Sequence, residues 1–157
     1  MNKIILGIDP GIADTGFGLV EKIAGGKIKC LAYGSIKTKA KTDLASRLVI
    51  LDSELEKIIK KYHPKTAVIE QLFFCNNAKT ALMVGQARGV AMLVCQKAGL
   101  KISEPTPLQV KQGITGYGQA DKKQVQKMVK LLLNLKEIPK PDDAADALAM
   151  AICGLND

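Results

Sequence analysis

Apolar and polar positions divide the chain into short continuous runs and longer periodic stretches. Residues 3–9 carry the run Ile4-Ile5-Leu6-Gly7-Ile8, which stops at Asp9-Pro10-Gly11, the pattern of a buried central strand. Residues 16–24 and 27–37 read as two more strands joined by Gly25-Gly26, a hairpin turn, so the sheet starts as an antiparallel meander. From Thr42 the period lengthens. Leu44, Leu48, Leu51, Leu55, Ile58 and Tyr62 recur at steps of four and three, predicting an amphipathic helix. Thr42 is its expected cap, Asp43 suits its first turn, and His63-Pro64 ends it. Residues 65–70 form the next strand. A strand–helix–strand crossover sets it parallel to another strand of the same sheet.

In the second half, residues 77–98 predict a helix that is apolar on nearly every side, with Ala81, Gly85 and Gly89 at four-residue spacing. Such a helix needs cover on two faces. The sheet is one cover; the other is either a second helix of this chain or the same helix of a second subunit. Residues 100–104 read as a short strand and 106–112 as a short helix opened by Pro107. Residues 113–118 read as a glycine-rich loop around Tyr117. A helix over 121–135 follows, with Val125, Met128, Val129 and Leu132 inward and Lys123, Lys127 and Lys130 on another face. Pro139-Lys140-Pro141 leads stiffly into a last helix over 143–155.

Composition narrows the class. A length of 157 residues bounds the chain to one domain, 1–157, and 47% apolar against 24% charged residues makes it globular. Lysine and arginine outnumber aspartate and glutamate by 23 to 15, for a formal charge of +8. An excess of lysine can serve solubility alone; it also suits a polyanionic partner, above all nucleic acid. Cys30, Cys75, Cys95 and Cys153 show no C-x-x-C spacing and read as reduced thiols. No secretory signal or membrane span is visible, and the expected location is cytoplasmic.

The candidate chemistry lies in the acids. Asp9 closes one apolar strand, and Glu70 closes another, Ala67-Val68-Ile69-Glu70. Open sheets bind ligands at the carboxyl ends of their parallel strands. Asp143 and Asp146, three apart, share a face near the start of the last helix. Each acid has a bland explanation: a turn residue for Asp9, an ion pair for Glu70, a dipole partner for the helix acids. Asp142 fits a capping role best and Asp146 worst, since it lies a turn further in. Together they would form a self-repelling cluster that cations must neutralise. Oxygen ligands without His or Cys suit Mg²⁺ or Mn²⁺. Two such ions about 4 Å apart activate a water and stabilise the leaving 3′ oxygen of a phosphodiester.

Ile5-Leu6-Gly7-Ile8-Asp9-Pro10-Gly11, Ile69-Glu70-Gln71, Gly85-Gln86-Ala87-Arg88-Gly89, Gln109-Val110-Lys111 and Asp143-Ala144-Ala145-Asp146-Ala147-Leu148-Ala149 resemble, in order and spacing, the bacterial RuvC family of Holliday-junction resolvases. The resemblance covers the whole chain. It implies an α/β, RNase H-like fold: a five-stranded mixed sheet with helices on both faces. It implies a homodimer that nicks four-way DNA junctions symmetrically, leaving 5′-phosphate and 3′-hydroxyl ends, alongside branch-migration proteins of RuvA and RuvB type. Asp9, Glu70, Asp143 and Asp146 match the family's catalytic, metal-binding acids, with Mg²⁺ or substituting Mn²⁺ as two ions per site. Phe73 matches an aromatic placed near the junction crossover, and Lys111 and Lys122 match basic residues near the site. Lys123 and Tyr117 beside them are further expected DNA contacts, and Arg88 is an expected interface or DNA contact. Cys75-Asn76-Asn77 departs from the family, whose members often carry a basic residue there. Three other readings stand beside this one: an RNase H-like nuclease acting on RNA, a catalytically silent junction-binding module, and a fragment of an actin-like or sugar-kinase ATPase. The last is suggested by Gly7-Ile8-Asp9-Pro10-Gly11 with Gly16 and Gly18.

Overall fold

The computed structural model describes residues 3–72 and 77–156. Five strands, β1 (Lys3–Asp9), β2 (Asp14–Lys22), β3 (Ile28–Lys37), β4 (Thr66–Ile69) and β5 (Lys101–Ser103), form one sheet in the order β3-β2-β1-β4-β5. β1, β2 and β3 run antiparallel as a meander, while β4 is parallel to β1 and β5 parallel to β4. The helices are α1 (Leu44–Tyr62), α2 (Ala78–Lys97), α3 (Pro107–Thr115), α4 (Lys122–Leu132) and α5 (Asp142–Cys153). The mixed five-stranded sheet and its two helical layers agree with the expected architecture.

Alternation along the strands sorts the core into two layers. Leu6, Ile8, Leu19, Ala67 and Ile69 point to one face and meet Leu51, Leu55 and Ile59 of α1 and Ala87, Ala91 and Val94 of α2. Ile5, Val20 and Val68 point to the other, where Leu148, Ala151 and Ile152 of α5 cover them, backed by Val110 and Ile114 of α3 and by Val125 and Val129 of α4. Full burial of each large side chain contributes about 1.5–3 kcal/mol. Since Asp9 continues the phase of Ile5 and Gly7, its side chain belongs to the α5 face. Glu70, two residues after Val68, shares that phase.

Glycines on that face set how close α5 can come. A Cβ built on Gly7 would lie 1.9 Å from the Ala147 carbonyl oxygen, one on Gly16 2.0 Å from that of Asp143, and one on Gly18 2.8 Å from Leu148. Only hydrogen fits there. Gly7, Gly16 and Gly18 therefore serve the close approach of α5.

Several local expectations change. Asp43, not Thr42, caps α1, its carboxylate accepting from the Ser46 N–H at 2.9 Å. α3 runs on to Thr115, because Ile114 and Val110 are one turn apart and both buried; the loop begins only at Gly116, which takes φ +74°. In α4 the inward residue near the end is Leu133, 6% exposed, whereas Leu132 is 37% exposed. α5 begins at Asp142 with Pro141 in the capping position and no side-chain cap, so Asp142 is left for another contact.

Candidate active site

Register delivers the two strand acids to one end of the sheet. Ile8 pairs with Ile69 in the parallel ladder, so the next residue on each strand is an acid, Asp9 on β1 and Glu70 after β4. Asp9 also pairs with Gly16 across the antiparallel ladder. Gly16 lies directly under the Asp143 backbone, which brings the first turn of α5 beside Asp9. The turn after Asp9 is closed by Thr15, whose Oγ1 donates to the Gly11 carbonyl at 2.6 Å and accepts from the Gly11 N–H at 3.2 Å. Beyond it, the buried Arg47 of α1 donates to Thr38 Oγ1 at 2.8 Å, and that hydroxyl donates to the Ile12 carbonyl.

One carboxylate oxygen each of Asp9, Asp143 and Asp146 lies within 4.8 Å of the others. Glu70 stands outside that triplet and lines the same cleft as Asp9 and Asp146, together with Lys111 of α3 and Lys122 of α4. Burial, then the charges of Asp146, Asp143 and Glu70, push the Asp9 carboxyl up to about 8. Glu70 is raised by burial and Asp146 against the pull of Lys111, and Asp146 is raised by burial against the pull of Lys122. A carboxyl held protonated near neutrality by its acidic neighbours has no partner of opposite sign among them. Divalent cations would supply that partner, and the all-oxygen donor set suits a hard one. The acidic group can therefore hold a metal ion.

Lys122 bridges Asp142 at 3.3 Å and Asp146 at 3.6 Å. Its own burial opposes its charge, but those two carboxylates outweigh it and raise its pKa. Asp142 thus serves as an anchor for α4, also accepting from Gln126 at 3.3 Å. Tyr117 and Lys123 are exposed beyond the cleft, on the α3–α4 connection and the first turn of α4. Phe73 lies outside the described residues, as do Cys75 and Asn76. Arg88, expected as an interface or DNA contact, makes its contacts within the chain. Its side chain is 15% exposed and turned inward, its Nε donating to the Glu70 carbonyl at 3.2 Å and its Nη2 paired with Glu104. The guanidinium is engaged by groups of the chain itself. Sequence reasoning also missed the close packing of Gly7, Gly16 and Gly18 under α5. The signal was present in the alternate spacing of Gly16 and Gly18 along β2, in Gly7 on β1, and in the alanines of α5.

Comparison with known proteins converges on the same family. The family model described as crossover junction endodeoxyribonuclease RuvC matches residues 5–154. The crossover junction endodeoxyribonuclease RuvC of Halothermothrix orenii is 56% identical over 150 residues, covering 96% of this chain and 90% of that protein. Thermus thermophilus RuvC, solved in complex with Holliday junction substrate, superposes with a TM-score of 0.91 at 32% identity over 96% of this chain and 92% of that one. The yeast mitochondrial Holliday junction resolvase Ydc2 gives a TM-score of 0.68 at 14% identity, covering 95% of this chain and 76% of its own, a likeness of fold alone. An acidic end on a glycine-floored mixed sheet and near-complete correspondence along the chain lead to one assignment: this is a member of the RuvC family of crossover junction endodeoxyribonucleases, with their RNase H-like fold.

Proposed function

We propose that the chain is a structure-selective endonuclease that resolves four-way DNA junctions by paired symmetric nicks, leaving 5′-phosphate and 3′-hydroxyl ends for ligation. The convergence of Asp9, Asp143 and Asp146 within 4.8 Å carries this reading. It is joined by a net charge of +8 over a surface whose acids are partly gathered into that one site. Asp9, Glu70, Asp143 and Asp146 would hold two Mg²⁺ ions, with Mn²⁺ as substitute. Bound there, the ions supply an activated water and neutralise the leaving 3′ oxygen. Asp9 would serve as a ligand in its deprotonated form. Lys111 and Lys122, lining the same cleft, offer positive charge to the phosphate oxygens as negative charge builds on them. Tyr117 and Lys123 extend the DNA track outside the cleft, and Phe73 acts near the crossover.

Two nicks related by a junction's two-fold symmetry call for two sites related by the same axis. α2 offers the surface for such a pairing. Leu82 is 64% exposed and Leu93 57% exposed on one stripe of the helix, and Gly89 between them has open space where a Cβ would stand. This stripe is the proposed homodimer seam. Branch-migration proteins of RuvA and RuvB type are partners that family membership brings with it.

The test is cleavage of a labelled mobile four-way junction, with linear DNA duplex and duplex RNA as competitors, with and without Mg²⁺. The expected result is paired nicks confined to the junction and dependent on Mg²⁺. Asp9→Asn should abolish them while keeping or tightening junction binding, because a carboxylate that repels phosphate is gone. Metal-free cutting, preference for RNA, or near wild-type cutting by Asp9→Asn would overturn the proposal.

A further inference from the structure

Glu70 is the acid whose position the sheet secures least. β4 has four residues, its last pairing with β5 is Val68 with Ser103, and its last pairing with β1 is Ile69 with Ile8. Beyond Ile69 the backbone leaves both ladders, so other contacts must hold the catalytic strand end in place. They come from two directions. From the α2 side, Arg88 Nε donates to the Glu70 carbonyl at 3.2 Å, and its Nη1 reaches Met92 Sδ at 3.2 Å. Its Nη2 pairs with the Glu104 carboxylate, just past the end of β5. From the β5 side, the Gln71 N–H donates to the Pro105 carbonyl at 2.9 Å and the Gln71 amide donates to the Glu104 carbonyl at 3.0 Å. Glu104 therefore receives the strand end through its backbone and Arg88 through its side chain. The three residues close a small loop of contacts around the Glu70 peptide.

We infer that Arg88 and Glu104 form a strap that positions Glu70 for metal binding, tying the acidic site to α2. This rests on the reading of Glu70 as a metal-binding acid. Arg88 acts through the Glu70 peptide and is a positioning residue. The planar guanidinium suits the task because it serves a carbonyl and a carboxylate at once in fixed directions. The same helix bears the exposed leucine stripe, so a force on that stripe would be felt at the Glu70 carbonyl through a single side chain.

The test is Mn²⁺ binding to the full chain, followed by electron paramagnetic resonance, with melting temperature and metal-free junction affinity measured beside it. Arg88→Met keeps the buried stem and removes the fork; Glu104→Gln, at a partly exposed position, keeps the fold and weakens the pair. Arg88→Met should raise the Mn²⁺ dissociation constant about 10-fold or more, the usual consequence of losing a group that orients a ligand. Glu104→Gln should raise it less, in the same direction, and junction affinity without metal should stay at the wild-type value in both. Glu70→Gln is the control. If it binds Mn²⁺ like wild type, the reading of Glu70 fails and the strap with it. If it binds weakly while Arg88→Met and Glu104→Gln bind like wild type, the strap alone is overturned. Should Arg88→Met not fold, Glu104→Gln decides by the same criterion.

Discussion

Asp9 carries its charge at a cost that depends on pH. Its pKa is raised from 3.8 to about 8 by burial and by the neighbouring acids. Between those values the metal-free folded chain holds a proton that the unfolded chain has released, so stability falls as pH rises across this window and levels off above it. Glu70 and Asp146, raised for related reasons, add to the same slope. Asp9→Asn removes the largest contributor. Metal-free Asp9→Asn is therefore expected to melt above wild type at about pH 8 and to lose that advantage towards pH 4, read by thermal melts across the range. Added Mg²⁺ should raise the wild-type melting temperature at the higher pH and leave that of Asp9→Asn nearly unmoved, since a ligand stabilises only the state that binds it. Lys122→Met should slow junction cleavage less than any single acid replacement, because Lys111 still lines the same cleft.

Among the elements, α5 and the strands beneath it decide whether the acids meet. The helix is alanine-rich where it faces the sheet, with Ala144, Ala147 and Ala151 each fully buried, and the strands answer with glycine. Small against small lets the helix axis approach until Asp143 and Asp146 stand beside Asp9. Gly16→Ala would put a methyl 2.0 Å from the Asp143 carbonyl oxygen, and neither partner there is a flexible side-chain end. The expected outcome is a stability loss of about 1–3 kcal/mol, measured by denaturant titration. Cleavage should fall much further than that loss explains, since the first turn of α5 must lift away from Asp9. Periodicity located α5 and its acids correctly but carried no information on this spacing. It misplaced Leu132 for Leu133 because a helix end can turn its last residue either way until the tertiary neighbour is known.

For the whole molecule, the uncommitted feature is the outer stripe of α2. Leu82 and Leu93 remain exposed although the helix is covered by α1 and the sheet on its other sides. The first 77–98 expectation left two covers open; the chain's own helices supply only part of the cover. If α2 is the seam of the proposed homodimer, Leu93→Glu, which does not line the cleft, should leave a monomer in sedimentation where the unmodified chain gives a dimer, and abolish paired nicking. Mn²⁺ binding should persist, showing the acidic site intact.

Periodicity, breakers and the placement of acids at the ends of apolar runs determined the element order and that the strand before Glu70 runs parallel to another strand; that β1 is its neighbour, and so sets Asp9 and Glu70 at one end of the sheet, came from the structure. The first two are consequences of local sterics and of alternation with period two, which a chain displays residue by residue. The tertiary structure alone decided the depth at which α5 settles, the inward turn of Arg88 and the tie between Lys122, Asp142 and Asp146. Each of those depends on distances between segments remote in sequence, and such distances are set by side-chain volume at the contact, a quantity no single segment contains.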